Sequence, residues 1–469
     1  MKNMSIENKF LILSLVLGLI IIMIVPPFQS PDEDSHFLKA YLISKGNFYP
    51  IEKNNTIGYD IPKDMSDYIS NQTSKGSDLS YKYSYENYYY DNLLSYSYSN
   101  KIFRNISTSG VTPVAHIVPA IGIFLGNLNK SFDRDGNVTP VVLLQYARLA
   151  CLVVYSIICF YAIKITPKFK KTFFTILMLP SSLFLRSMIT YDSLILATTA
   201  ISIAKMLQLY YEKEYKLRKS DFLLFIICGY ILFNIKTIYS FIFLLMFYIP
   251  NQKFEGKKLK NFVIMVGSVL LLTILLKIPY YFIKTNETVF FPEQVSFVKN
   301  NILEFIKIIL INMKNQFKYQ SYWMVGTYGL LDTYISPLIV NIIYVYLFAV
   351  IFVEVLSEKE KFHVTVNIFY VVFAFLSIFA IYTSMYLGWT VMIYNEIGGK
   401  DVTGVQGRYF LPYLLILPII LNNKLSVSIG IKLSKLLKKA NDNLSNYYYF
   451  VPTLVLVITI ITIFERYWL

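Results

Sequence analysis

The chain has 469 residues, 55% of them hydrophobic and 17% aromatic, with a formal charge of +15. A soluble protein of this length needs more polar surface, so the composition excludes an ordinary globular enzyme. Apolar blocks of about twenty residues point instead to an all-α polytopic membrane protein. The positive charge sits mostly in short Lys-rich segments between those blocks. It reads as a topology signal, not as a nucleic-acid footprint. Cys151, Cys159 and Cys228 all fall in predicted spans and read as small buried hydrophobes, with no disulfide or metal pattern.

Residues 10–28 are the first run long enough to cross a bilayer. No small-residue cleavage site marks it for removal, so it reads as a retained anchor. Lys2 and Lys9 precede it and place the N-terminus in the cytoplasm. The polar segment 29–140 then lies outside. Its eight tyrosines between residues 81 and 98 suit either stacking on sugar rings or a place in the headgroup zone. Residues 111–128 are apolar but contain Pro113, His116 and Pro119. A crossing here would put Lys164, Lys168, Lys170 and Lys171 outside, so the segment is expected to lie on or dip into the outer surface.

Residues 141–163, 173–189 and 193–209 are the next predicted spans. Residues 222–249 are too long for one clean span and are interrupted by Asn234-Ile235-Lys236, which predicts two short helices in a hairpin. Residues 262–283 cross outward. In the outer segment 284–336, Glu304, Lys307 and Lys314 fall on one stripe at helical spacing, which predicts an interfacial helix over 303–315. Residues 337–356 and 364–386 follow, then a third outer segment, 387–409. Residues 410–421 re-enter, 424–439 form a basic cytoplasmic segment, and 449–464 make the last span. The expectation is one integral membrane unit over residues 1–469, with about eleven spans and its polar chemistry on the outer face.

The densest chemistry follows the first span: Ser30-Pro31-Asp32-Glu33-Asp34-Ser35-His36-Phe37. Ser30, Pro31 and Glu33 have the spacing of a capping box with proline at the first helical position. Asp32 has no such duty. Asp32, His36 and Lys39 recur at helical spacing on one face. A carboxylate at a helix start is stabilised in its charged form. Beside an imidazole it suits a general base that takes a proton from a sugar hydroxyl. The plainer alternative is a solvated acidic helix start.

Cations are disfavoured outside. Yet Arg148, Arg186 and Arg408 fall near the outer ends of predicted spans, and Lys236 at the outer turn of the hairpin. Each alone fits a snorkelling side chain. Together they suit a lipid phosphate leaving group, whose developing charge guanidinium donors stabilise. In Gly404-Val405-Gln406-Gly407-Arg408-Tyr409-Phe410 the two glycines suggest close approach of backbone to a ligand. Asp192 could bind a metal or a sugar hydroxyl, or cap the following helix. His116 fits either the same cavity or interface packing. The carboxylates permit a divalent cation such as Mg or Mn, but no ligand spacing demands one.

Pro26-Pro27-Phe28-Gln29-Ser30-Pro31-Asp32-Glu33 followed by His36 resembles the opening motif of the bacterial membrane proteins catalogued as domain of unknown function 2142. The resemblance continues in order through Tyr191-Asp192, Gly329-Leu330-Leu331-Asp332-Thr333 and Gly404 to Pro412. That family looks like a branch of the GT-C glycosyltransferases, multi-span enzymes with an acidic residue in the first outer loop. The resemblance implies polyprenyl-phosphate-linked sugars as donors, action on the outer face of a bacterial cell membrane, and Asp32 as the matching acid. Read with the residues above, it gives a catalytic group of Asp32, Glu33 and His36. The substrate-binding group is Arg408, Lys236, Arg186, Arg148, Asp192, His116, Gln406 and Tyr409. The expected activity is inverting transfer of a sugar from undecaprenyl phosphate to a surface glycan or a teichoic-acid-type acceptor. A lipid-linked glycan flippase, and a glycan polymerase or ligase, are the alternatives.

Overall fold

The computed structural model describes residues 4–87, 96–129, 133–134, 137–283, 291–424, 426, 432, 440 and 447–469. Much of the tyrosine-rich stretch, the start of the second outer segment and most of the basic segment 424–439 lie outside the described residues.

The chain starts with α1 (Ile6–Ile24), capped by Ser5, whose hydroxyl accepts from the Asn8 amide. The polar segment that follows, the one expected to lie outside, holds α2 (Glu33–Ser44), α3 (Lys63–Ser77) and an antiparallel sheet of β1 (Ile51–Lys53), β2 (Thr56–Pro62) and β3 (Lys101–Arg104). So the segment expected to carry interfacial helices also contains a small sheet. A 3-10 turn, Pro113–His116, leads into α4 (Ile117–Leu128). The outward face of α4 is itself apolar: Ile121, Phe124, Leu125 and Leu128 are each more than half exposed. A helix lying on headgroups would turn polar residues outward, so this one suits immersion in hydrocarbon.

α5 (Pro140–Ile165), opened by proline at its first turn, packs against α1 and α4. Phe28, Phe37, Tyr59, Met65 and Ile69 from the polar segment share one buried cluster with Val141, Leu144 and Ala147 of α5. Thus this polar segment is seated on the end of α5. α6 (Lys170–Leu177) and α7 (Pro180–Ser187) replace the predicted span 173–189, with Pro180 starting the second piece.

α8 (Tyr191–Tyr211) is the central helix. Of its apolar window 89% is buried, against 17% to 56% in the other candidate spans. Enclosed by protein, it can carry Ser193, Thr198, Thr199 and Ser202. α9 (Lys219–Ile235) and a 3-10 helix (Thr237–Tyr248) form the expected interrupted hairpin, broken at Lys236.

α10 (Lys258–Tyr281) and α11 (Pro292–Asn300) lead to α12 (Ile302–Gly326), twice as long as the predicted interfacial helix. α13 (Pro337–Ser357), α14 (Val364–Leu387) and α15 (Trp389–Tyr394) follow. Then come α16 (Leu411–Leu414), α17 (Leu417–Leu421) and α18 (Phe450–Trp468). Among the described residues, seven helices are long and apolar enough to cross a membrane. The other four expected crossings are broken or short. Pro180, Lys236, Pro412 and Pro418 fall at or beside their breaks, where a missing amide or a charged residue ends the helix.

Candidate functional site

Four charged side chains from four distant parts of the chain meet at one end of the bundle. Asp32 lies between α1 and α2, Asp192 in the first turn of α8, Lys236 at the hairpin break, and Arg408 in a 3-10 turn, Gly407–Phe410. The Arg408 guanidinium donates to Asp32 Oδ2 at 3.0 Å. Its Nε is 3.0 Å from Asp192 Oδ2, close enough for an ion pair but not aligned as a hydrogen bond. Lys236 donates to Asp192 Oδ1 at 2.9 Å and stands 3.7 Å from the centre of the Tyr409 ring. Burial opposes the charge of Arg408, but Asp192, then Tyr409 and Asp32, more than offset it and raise its pKa.

Asp32 differs from its partners in exposure. Its side chain is 53% exposed, whereas those of Asp192 and Arg408 are 7% and 10% exposed. Its backbone is left-handed, with φ 61°, which costs about 1 kcal/mol for a residue with a Cβ. Asp32 occupies the N-cap position of α2, but its side chain makes no capping bond. The predicted capping box is therefore wrong. α2 starts at Glu33, and the Ser30 hydroxyl is buried without a partner among the described residues.

Glu33 and Arg148 also leave the predicted site. They form a two-pronged ion pair, 2.9 and 2.6 Å, with both side chains wholly buried. Arg148 also donates to the carbonyls of Val25 and Pro26, and Glu33 accepts from the Ile189 amide. The pair fastens the end of α1 to α5 and to the entry of α8. Each charge is already matched, which leaves neither a phosphate-binding nor a proton-transferring duty. Arg186 is fully buried against Phe10 and donates to Ser14, in the middle of α1. It sits deep in the bundle, not at the expected outer end.

His36 and His116 are joined, Nδ1 to Nε2, at 2.8 Å, and His36 packs edge-on to Tyr191. One imidazole donates and the other accepts, so the acceptor is neutral and the pair carries at most one positive charge. Burial first, then Arg408 and Lys236, lower the pKa of His36 to about 4 against the pull of Asp32 and Asp192. Burial, then His36 and Lys39, put His116 well below its ordinary value. The sign of the pH effect follows. Below about pH 6.5 the unfolded chain takes up protons that the folded protein refuses. Stability is therefore full above that pH and declines as pH falls toward 4, by about 3 kcal/mol for His36 alone. Thermal unfolding in detergent should show this acid slope, and His116→Gln should flatten it; an unchanged slope in the variant would count against the pair as its source.

The position of Arg408 is set by a feature the sequence reading missed. Asn312, Gln316 and Gln320 recur every four residues along α12. Their amides donate to the carbonyls of Lys400, Val402 and Val405 at 2.8, 2.7 and 3.0 Å. This ladder lays the loop along the helix. Gly404, φ 85°, turns it, and a Cβ on Gly407 would come 2.3 Å from the Met324 amide nitrogen. Gly407 thus serves approach to α12, and Gly404 lies against the Trp389 ring of α15. Amides at four-residue spacing in an otherwise apolar and basic helix were the available signal.

Two cavities flank the charged group. One is narrow and is lined by Pro31, Phe184, Trp323, Tyr328, Gln406 and Arg408 among others. Gln406 Oε1, from a residue lining it, is buried without a partner among the described residues. The other lies on the Lys236 and Tyr409 side. Among the described residues, no three His, Cys, Asp or Glu side chains stand together as a metal site. Asp32 and Asp192 already face Arg408 and Lys236, so a divalent ion between them would meet two cations.

A family model described as "Predicted membrane protein (DUF2142)" matches residues 15–417, most of the chain. The chain belongs to the DUF2142 family. No curated protein and no solved structure matches it. The matched region of this DUF2142 chain takes in Asp32, His36, His116, Asp192, Lys236, Gln406, Arg408 and Tyr409, while α18 lies beyond it. In the Gly329-Leu330-Leu331-Asp332-Thr333 motif, Asp332 pairs with Arg466 of α18 at 2.9 Å, and Arg466 donates to the Gly76 carbonyl. That motif ties the last helix to the polar segment that holds α3.

Proposed function

We propose that this DUF2142 protein is a glycosyltransferase of the bacterial cell membrane, with its N-terminus cytoplasmic and its site on the outer face. It transfers a sugar from a polyprenyl-phosphate donor to a surface glycan or a teichoic-acid-type acceptor, with inversion. One observation carries the reading. An accessible carboxylate, Asp32, is paired with the largely buried Arg408, which shares the buried Asp192 with Lys236, between two cavities.

The chemistry runs as one displacement. Asp32 takes the proton of the acceptor hydroxyl as that oxygen forms its bond to the anomeric carbon. The bond from that carbon to the phosphate oxygen breaks, and its electron pair leaves with the polyprenyl phosphate. Arg408 and Lys236 stabilise the charge that develops there. Asp192 is a positioning residue: it holds both cations and is too buried to meet an acceptor. His36 and His116, neutral and paired, support α2 behind Asp32. Trp323 and the orphaned oxygen of Gln406 offer a ring surface and an acceptor for sugar hydroxyls.

The test uses the purified protein in vesicles with a labelled polyprenyl-phosphate hexose and a cell-wall acceptor fraction. The reading expects free polyprenyl phosphate and a new glycosidic bond in equal amounts. Movement of the intact lipid across the vesicle without bond formation would overturn it in favour of a flippase.

A further inference from the structure

The second cavity is a groove of about 290 Å³ between the hairpin and α14, lined by Ile235, Lys236, Ile238, Ile381, Met385 and Tyr409 among others. Its volume is at the lower end of the roughly 300–1,000 Å³ common for small-ligand clefts, which suits one chain better than a two-chain lipid. Apart from Lys236, its walls are mostly apolar side chains. One turn along the same two helices, Phe241 and Leu376 are 46% and 54% exposed, so the surface nearby is apolar as well. At the polar end, Lys236 has 21% of its side chain accessible and gives one of its three N–H groups to Asp192. On the other oxygen of the same Asp192 carboxylate stands the Arg408 Nε–H, 3.0 Å away but not aligned to it, on a side chain nine-tenths buried that lines the first cavity. An apolar trough that ends on Lys236, which the Asp192 carboxylate joins to Arg408, fits an amphiphile with a single phosphate at its head.

We propose that this groove binds the isoprenoid chain of a prenyl monophosphate, with the phosphate seated on Lys236 and Arg408 in the place Asp32 holds on Arg408. The proposal rests on the glycosyltransferase reading and adds to it the location of the lipid. The charges allow the exchange. Asp32, Asp192, Lys236 and Arg408 form a set with two acids and two bases, so an added phosphate must displace an acid to keep balance. Asp32 is the one that can move: it is half exposed and makes one bond to Arg408, whereas Asp192 is buried between both cations. Its release leaves the carboxylate free for the acceptor hydroxyl, so donor binding precedes proton transfer.

The experiment measures dissociation constants in lipid nanodiscs for farnesyl phosphate, farnesol and inorganic phosphate. Farnesyl phosphate should bind at least tenfold tighter than either fragment. Ser384→Trp, which puts an indole at the exposed edge of the groove, should weaken farnesyl phosphate by tenfold or more and leave inorganic phosphate unchanged. Ala380→Trp is the second filling variant, and unchanged melting shows that each is folded. Asp32→Asn should tighten farnesyl phosphate several-fold, because it removes the competitor for Arg408. Farnesol binding as tightly as farnesyl phosphate would overturn the proposal, as would indifference to both tryptophans or weaker binding by Asp32→Asn. If any of these came with intact sugar transfer, the groove assignment would fall and the glycosyltransferase reading would stand. No transfer at all, with groove-dependent farnesyl phosphate binding, would do the reverse.

Discussion

Asp192→Asn should lose about 3–5 kcal/mol of stability, while Asp32→Asn, the same change of charge a few ångströms away, should lose less than about 1 kcal/mol. The difference comes from burial. Asp192 is 7% exposed and faces Lys236 at 2.9 Å and Arg408 at 3.0 Å. An amide there leaves two largely buried cations next to each other without their shared acid, and removing one partner of a buried pair is costly. Asp32 is 53% exposed and holds one bond to Arg408, so water replaces it. Thermal unfolding of the two variants in one detergent gives the comparison. Equal losses would mean that Asp192 is not the hub of the group.

The Glu33–Arg148 pair should show a different pattern. Arg148→Met should cost about 3–5 kcal/mol, because a wholly buried carboxylate is left unmatched. Adding Glu33→Leu removes the stranded charge and should recover part of the loss. Recovery is incomplete because the carbonyls of Val25 and Pro26 and the Ile189 amide lose their partners. Each such orphan costs about 1–3 kcal/mol. A double variant no better than the single one would mean that the charge itself is not what the pair neutralises.

Asp32, Asp192, Lys236 and Arg408 were legible in the sequence because each is a charge at the edge of an apolar run, where a charge is expensive unless it is used. Arg148 looked the same on paper. Its depth told otherwise: it stands eight residues after Pro140, the first residue of α5, about 12 Å into the helix at 1.5 Å per residue. That is well inside the bundle, where a guanidinium needs a partner. Which partner could not be read, because Glu33 is 115 residues away. Glu33 also matched a capping pattern, and local spacing outweighed a contact that only the packing of α1 on α5 creates. Arg186 failed for a related reason, since its side chain reaches inward to Ser14 and Phe10, contacts that only the packing against α1 creates. The amide ladder of α12 went unread because amides carry no charge. Their use depends on a loop some 90 residues further on. The small sheet of the polar segment was hidden by short strands: β1 and β3 have three and four residues, too few to show alternation.

The most direct measurement is the rate of sugar transfer by folded Asp32→Asn in vesicles, set against the unaltered protein with the same labelled polyprenyl-phosphate sugar. Loss of a general base should slow transfer by about 10²–10⁴-fold at unchanged melting temperature. A variant that is folded and transfers sugar at the normal rate would contradict the role given to this carboxylate.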